Sequence, residues 1–158
     1  MNKPRHGHRQ RGAAAVELGI LLLPLTTLVF GITECGRAMY QYDTLCKSVR
    51  AAARYLSYRT PGDAAAISVA KCIAVYGNTG CVAPALVPGL TTAMVSVADS
   101  SNDASLSLQR MTADGGATFY GVTNLLRVTV SGYTFTSAAS FVVPTFNLEP
   151  ISITMVQG

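Results

Sequence analysis

Histidine is all but missing from this chain: its two copies, His6 and His8, both precede Gly12, so residues 13–158 contain none. General acid–base and nucleophilic catalysis need a base beside a nucleophile, and without histidine an enzyme is not expected and no catalytic residue is assigned. Asp99 and Asp103 could be imagined as a carboxylate pair, but Ser100-Ser101-Asn102 between them reads as a solvated turn. The four cysteines lack metal-ligand spacing, so neither a metal nor a cofactor is expected. Charge is scarce as well, at 13% of residues against 49% hydrophobic, a balance that fits a membrane-anchored protein better than a disordered one. The net charge of +4 is uneven: Lys3, Arg5, Arg9 and Arg11 precede Gly12, while residues 13–158 carry eight Lys/Arg and eight Asp/Glu. A nucleic-acid binder keeps its basic surface in the folded body, so nucleic acid is excluded as a partner.

What is present is one long apolar run. From Ala13 to Thr33, Glu17 is the only charge among 21 residues. As a helix that run is about 31 Å long, roughly the thickness of a bilayer's hydrocarbon core. The lipid bilayer is therefore an expected partner. An ionisable group within a span costs on the order of 2.5 kcal/mol or more, which makes an intramembrane Glu functional by default; the alternative is that Glu17 stays wetted at the interface. The run exceeds the ordinary signal-peptide core of about 7–15 residues and no A-x-A-like site follows it. Thr33-Glu34 before Cys35 does not suit a lipoprotein signal, so the segment is expected to stay in the protein. The basic leader places the N-terminus in the cytoplasm and the C-terminus outside, although Arg37, Lys47 and Arg50 lie near the far side.

The expected organisation is a basic leader without structure (1–12), a transmembrane helix (13–34) and an extracytoplasmic α+β head (35–158). Helical pattern continues to about Ser57, with a kink expected at Pro24. Beyond the membrane, Cys35, Ala38, Met39, Tyr42, Cys46, Val49, Ala53 and Leu56 recur at three- and four-residue steps as one apolar stripe. Arg37, Lys47, Arg50 and Arg54 read as a solvated face, and Asp43 can pair weakly with Lys47. Thr60 is the expected N-cap of a short second helix, with Pro61 at its first position and Asp63 as a capping-box acid; Gly77 stops it after about Tyr76. After residue 90 the period changes to two, in Ala93–Val97, Leu106–Leu108, Leu126–Phe135 and Ile151–Val156, with connections at Asp114-Gly115-Gly116 and Pro144–Pro150. Three or four strands make a small antiparallel sheet whose apolar face the helix stripe covers.

Cys72 and Cys81 enclose a short Gly/Asn-containing loop, and a disulfide between them is expected in an oxidising compartment. Cys35 and Cys46 lie about 16 Å apart along one helix and cannot bond each other. They read as small apolar filler on the buried stripe, with Cys46 pairing to Cys72 or Cys81 as the alternative.

Arg11-Gly12-Ala13-Ala14-Ala15-Val16-Glu17-Leu18, Leu21-Leu22-Leu23-Pro24-Leu25, Gly31-Ile32-Thr33-Glu34-Cys35-Gly36-Arg37-Ala38 and Val49-Arg50-Ala51-Ala52-Ala53-Arg54-Tyr55 together resemble type IV-type prepilins. The likeness is specifically to the TadE-like minor pilins, or pseudopilins, of tight-adherence pili. It covers about residues 11–57, and beyond them only the layout agrees. Leu18-Gly19 stands where that family commonly has an aromatic after the Glu. The resemblance implies a pilin-like α+β fold and cleavage by a prepilin peptidase between Gly12 and Ala13. Glu17 would then pair with the new Ala13 ammonium of a neighbouring subunit, since a charge buried among packed helices needs a partner. Gly12 suits close approach by a protease; otherwise it is a linker residue. The implied partners are the peptidase, other pilin and minor pilin subunits, and the pilus assembly machinery of the bacterial inner membrane. The implied role is a non-enzymatic subunit that primes, caps or joins the filament, moving from the inner membrane to an extracellular pilus. The alternative is a single-pass inner-membrane protein that never polymerises and carries a periplasmic interaction domain.

Overall fold

A computed structural model describes residues 9–113 and 118–158. Helix α1 runs from Arg9 to Leu56, 48 residues without a break. It begins inside the segment expected to be an unstructured leader, because Arg9, Gln10 and Arg11 continue the helix of the alanines that follow. Residues 1–8 lie outside the described residues. The helix also continues through Pro24. Proline gives no N–H, and in the next turn the hydroxyls of Thr26 and Thr27 donate to the Leu22 and Leu23 carbonyls at 2.8 Å each.

Helix α2, Ala64–Tyr76, starts one residue after Asp63, whose carboxylate accepts from the N–H groups of Ala65 and Ala66 at 2.9 and 3.1 Å. The N-cap is therefore Asp63 and not Thr60. Gly62 explains the shift: its φ of +78° is left-handed, so Thr60-Pro61-Gly62 closes a turn before the helix begins. The far end is as expected, with Gly77 in left-handed backbone donating to the Ile73 carbonyl at 3.0 Å.

The strands are β1 (Val95–Ala98), β2 (Gln109–Ala113), β3 (Thr118–Val130), β4 (Thr134–Phe135), β5 (Phe146–Asn147) and β6 (Ile151–Gln157). Antiparallel β3 is the centre of a four-stranded sheet: its second half pairs with β1 (Val95 opposite Val130) and β6 (Ile151 opposite Val130). Its first half pairs with β2, in a register broken by a bulge at Met111/Thr112. Strands β4 and β5 form a separate two-stranded ribbon. The expected strand Leu126–Phe135 is thus divided, because Ser131-Gly132, with Gly132 at φ +72°, ends β3. Ala93 and Leu106 lie in 3₁₀ turns, Thr92–Met94 and Ala104–Leu106, and not in strands. The connection expected to run from Pro144 to Pro150 contains β5, and the one at Asp114–Gly116 lies outside the described residues.

Two compact units divide the chain. One comprises α1 up to Ala38 together with residues 136–145; the other comprises Met39–Phe135 and Phe146–Gly158. The second unit holds the main core, in which Leu45, Val49, Ala52, Ala53 and Leu56 of α1 meet Ala70 and Val75 of α2 and Leu126, Val128 and Val130 of β3. Burying a Leu or Val side chain fully contributes about 1.5–3 kcal/mol. The buried face of α1 keeps Val49, Ala53 and Leu56 of the expected stripe but is rotated before them: Leu45 and Ala52 are fully buried, whereas Met39 and Tyr42 are 69% and 48% exposed and Cys35 is also outside. Polar residues take places on the inner face because each is satisfied there. Gln41 accepts from the Tyr133 hydroxyl at 2.9 Å, and Ser48 donates to the Leu45 carbonyl at 3.0 Å.

Cys72 and Cys81 are joined as a disulfide with a Cα–Cα distance of 4.9 Å, while Cys35 and Cys46 are free. The side-chain oxygen of Asn78 accepts from the N–H groups of Gly80 and Val82 and holds the bridged loop in shape. Cys81→Ser is expected to reduce stability by about 2–3 kcal/mol through the larger entropy of the opened loop. The check is the urea midpoint of the full chain in detergent, with and without reductant; reductant shifts wild type and leaves the variant unchanged.

Asp99 is not on a solvated turn. It is only 2% exposed, although Ser101 and Asn102 beside it face water. Its carboxylate accepts from Gly62 N–H at 2.9 Å and from both the N–H and the hydroxyl of Ser101, tying the turn before α2 to the end of β1. Burial alone raises this carboxyl's pKa, but the hydrogen bonds from the Ser101 hydroxyl and the Gly62, Ser101 and Asn102 backbone outweigh it and hold the pKa below the usual value. A pKa lower in the folded than in the unfolded state contributes stability that is full above the carboxyl's ordinary range, near pH ~4, and is lost as pH falls through the folded value. Asp99→Asn is therefore expected to destabilise at pH 7 and to flatten the loss of stability between neutral and acidic pH, measured by urea titration at each pH.

Candidate functional site

The expected site residues lie on the first part of α1. Gly12, Ala13 and Glu17 are all exposed, and the backbone through the Gly12–Ala13 bond is helical. Ala13 and Glu17 are one turn apart and share a face. A Cβ added at Gly12 would meet nothing within 4 Å outside the helix's own turn, so packing does not require glycine there. Around them the helix is apolar and bare: Val16, Leu18, Ile20, Leu21 and Leu23 are 59–70% exposed. This is one helix long and apolar enough to cross a membrane, with a mean hydropathy of 2.1 in its best window and none of that window buried by the rest of the chain. Leucines left this bare need a partner outside the chain.

A second constellation, which the sequence reading missed, closes the far end of the apolar run. Glu34 is buried, 3% exposed, and makes an ion pair with Arg37 at 2.8 Å. Its second carboxylate oxygen accepts from Ala138 N–H at 3.1 Å, the Ser137 side chain adds a further hydrogen bond, and Arg37 donates to the Thr136 carbonyl at 3.0 Å. The segment 136–138 is thus fastened to the helix immediately beyond the apolar run. The spacing of Glu34 and Arg37 at i, i+3 was a visible signal; their backbone partners about a hundred residues away were not. Arg37 accordingly leaves the expected solvated face, on which Lys47, Arg50 and Arg54 remain exposed. The Asp43–Lys47 pair forms at 2.6 Å, and Asp43 raises the Lys47 pKa through its hydrogen bond and charge.

Among the described residues no cluster of three or more His, Cys, Asp and Glu side chains forms. The structure defines an α+β protein in which a long helix, bare and apolar in its first part, is followed by a small antiparallel sheet. Residues 12–54 match the family model described as TadE-like protein, a segment lying wholly within α1. That family is associated with the tight-adherence pilus and is structural. No curated protein and no solved structure matches the chain.

Proposed function

We propose that the protein is a minor pilin of a tight-adherence pilus, a non-enzymatic subunit that is cut between Gly12 and Ala13 and then primes, caps or joins the filament. The observation that carries this reading is where the family match begins. It starts at Gly12, leaves Lys3, Arg5, Arg9 and Arg11 outside, and takes in an exposed apolar helix whose one charge before Glu34 is Glu17. Removing the leader takes away four cationic side chains that resist transfer out of contact with water. What remains is an apolar helix beginning with an ammonium at Ala13. Glu17, one turn on, pairs in this reading with such an ammonium on a neighbouring subunit, and a carboxylate near a helix N-terminus is also favoured by the helix dipole. In this reading the partners are a prepilin peptidase, other pilins and minor pilins, the assembly machinery and the lipid bilayer. The N-terminus is cytoplasmic, and the head lies in the periplasm until assembly carries it outward.

The peptidase must open a helical turn to reach the bond, and Gly12 weakens that turn by about 1 kcal/mol relative to alanine. Gly12→Ala has no neighbour to disturb in the fold, so it is expected to insert and fold normally while being cleaved about fivefold more slowly. N-terminal sequencing of membrane protein co-expressed with a prepilin peptidase checks this. Wild type should begin at Ala13, while the variant sampled early after induction should still begin largely at Met1. Wild type still beginning at Met1 in the presence of active peptidase would favour the inner-membrane protein that never polymerises.

A further inference from the structure

The segment that follows the Glu34–Arg37 fastening is apolar and exposed where an extracytoplasmic loop has no evident reason to be. Ala138-Ala139-Ser140-Phe141-Val142-Val143-Pro144 lies in the longer stretch 128–148, which contains no Asp, Glu, Lys or Arg at all. Phe141 is 77% exposed, and its ring meets Phe30 of α1 edge-on with a centroid distance of 5.9 Å. Val142 Cγ1 sits 3.5 Å from where a Cβ on Gly31 would be. Phe30 precedes Glu34 by one turn, so this loop reaches back along the helix about 6 Å, alongside the end of the apolar run.

We propose that residues 138–144 form a second membrane contact, a foot that inserts Phe141 and the adjoining valines into the outer interfacial layer of the bilayer beside α1. The inference rests on α1 being a membrane anchor. Three observations select lipid as the occupant. The foot's apolar surface is continuous with that of the helix through the Phe30–Phe141 contact. With Glu34 at the headgroup level, the step of about 6 Å back to Phe30 brings the foot within the roughly 5–10 Å at which interfacial segments bury their apolar faces. Four of the foot's backbone donors are also satisfied within the protein. Ala138 N–H donates to Glu34 and Ala139 N–H to the Ser137 hydroxyl, while Val142 and Val143 N–H both reach the Ala139 carbonyl, at 2.9 and 3.1 Å. Unsatisfied donors at that depth cost several kcal/mol each, and these four are satisfied. The Glu34–Arg37 pair then has a purpose as the fastening that holds the foot at a fixed height.

The chain has no tryptophan, so a single one reports unambiguously. Full-length Phe141→Trp and, separately, Phe30→Trp are reconstituted into phosphatidylcholine/phosphatidylglycerol vesicles containing lipids brominated at shallow or deep acyl positions. Both variants are expected to emit at blue-shifted wavelengths. Shallow bromines should quench the Phe141→Trp variant at least twofold more than deep ones, and the Phe30→Trp variant should also be quenched. Quenching of Phe30→Trp with water-like, unquenched emission from Phe141→Trp would overturn the foot and leave the anchor standing. Absence of quenching in both variants would overturn the foot together with the anchor on which it rests.

Discussion

Glu17→Leu protein is expected to reach the membrane at wild-type levels, to be cut normally, and to fall at least about tenfold in the sheared pilus fraction. The first two outcomes follow from exposure. Glu17 is exposed on its own chain, and leucine enters a bilayer more readily than a carboxylate does. The third follows from pairing. Among packed apolar helices the Ala13 ammonium would lose its counter-charge, and breaking a buried ion pair on one side typically costs about 3–5 kcal/mol. A tenfold loss corresponds to about 1.4 kcal/mol, so the expected fall is a conservative bound. Glu17→Gln keeps the size and the hydrogen-bonding oxygen without the charge and is expected to fall between the two. Quantitative immunoblots of membranes and of sheared pili, made from the same cells, separate insertion from assembly.

The second large effect lies in the head. Leu45→Ala is expected to destabilise by about 2–5 kcal/mol, because a fully buried leucine at the helix–sheet contact leaves a cavity that its neighbours only partly fill. Met39→Ala is expected to stay within about 0.5 kcal/mol, as exposed substitutions do. The apolar pattern alone ranks the two positions the other way, placing Met39 on the inner face and omitting Leu45. Urea denaturation of both variants in detergent decides between the pattern and the observed rotation of α1.

That rotation shows what could be read from the residues and what could not. A run of 21 residues with one charge announces a membrane-length helix because length and apolarity are local properties. The stop at Gly77, the strand at the C-terminus and the short loop between Cys72 and Cys81 are local in the same way. The orientation of α1 beyond its apolar run is not, since it depends on partners distant in sequence. Gln41 looks like an outward-facing residue until Tyr133, 92 residues away, is found beside it. Asp99 looks solvated for the same reason, because Gly62 N–H is 37 residues away. The first half of β3 was missed where β2 pairs with it through a bulge, which breaks the two-residue alternation that marks a strand. At the candidate site the sequence presented Gly12, Ala13 and Glu17 directly. It presented Glu34 and Arg37 only as two charges, and their connection to 136–138 emerged with the fold.

The central claim is that the leader is removed at Gly12–Ala13 and that the shortened chain enters a filament. Mass spectrometry of sheared, washed pili tests it most directly. The account predicts a peptide beginning at Ala13, its amine free or methylated, recovered with the major pilin and absent from cells lacking the prepilin peptidase. Recovery of the protein solely from membranes, with Met1 intact while the peptidase is active, would contradict it.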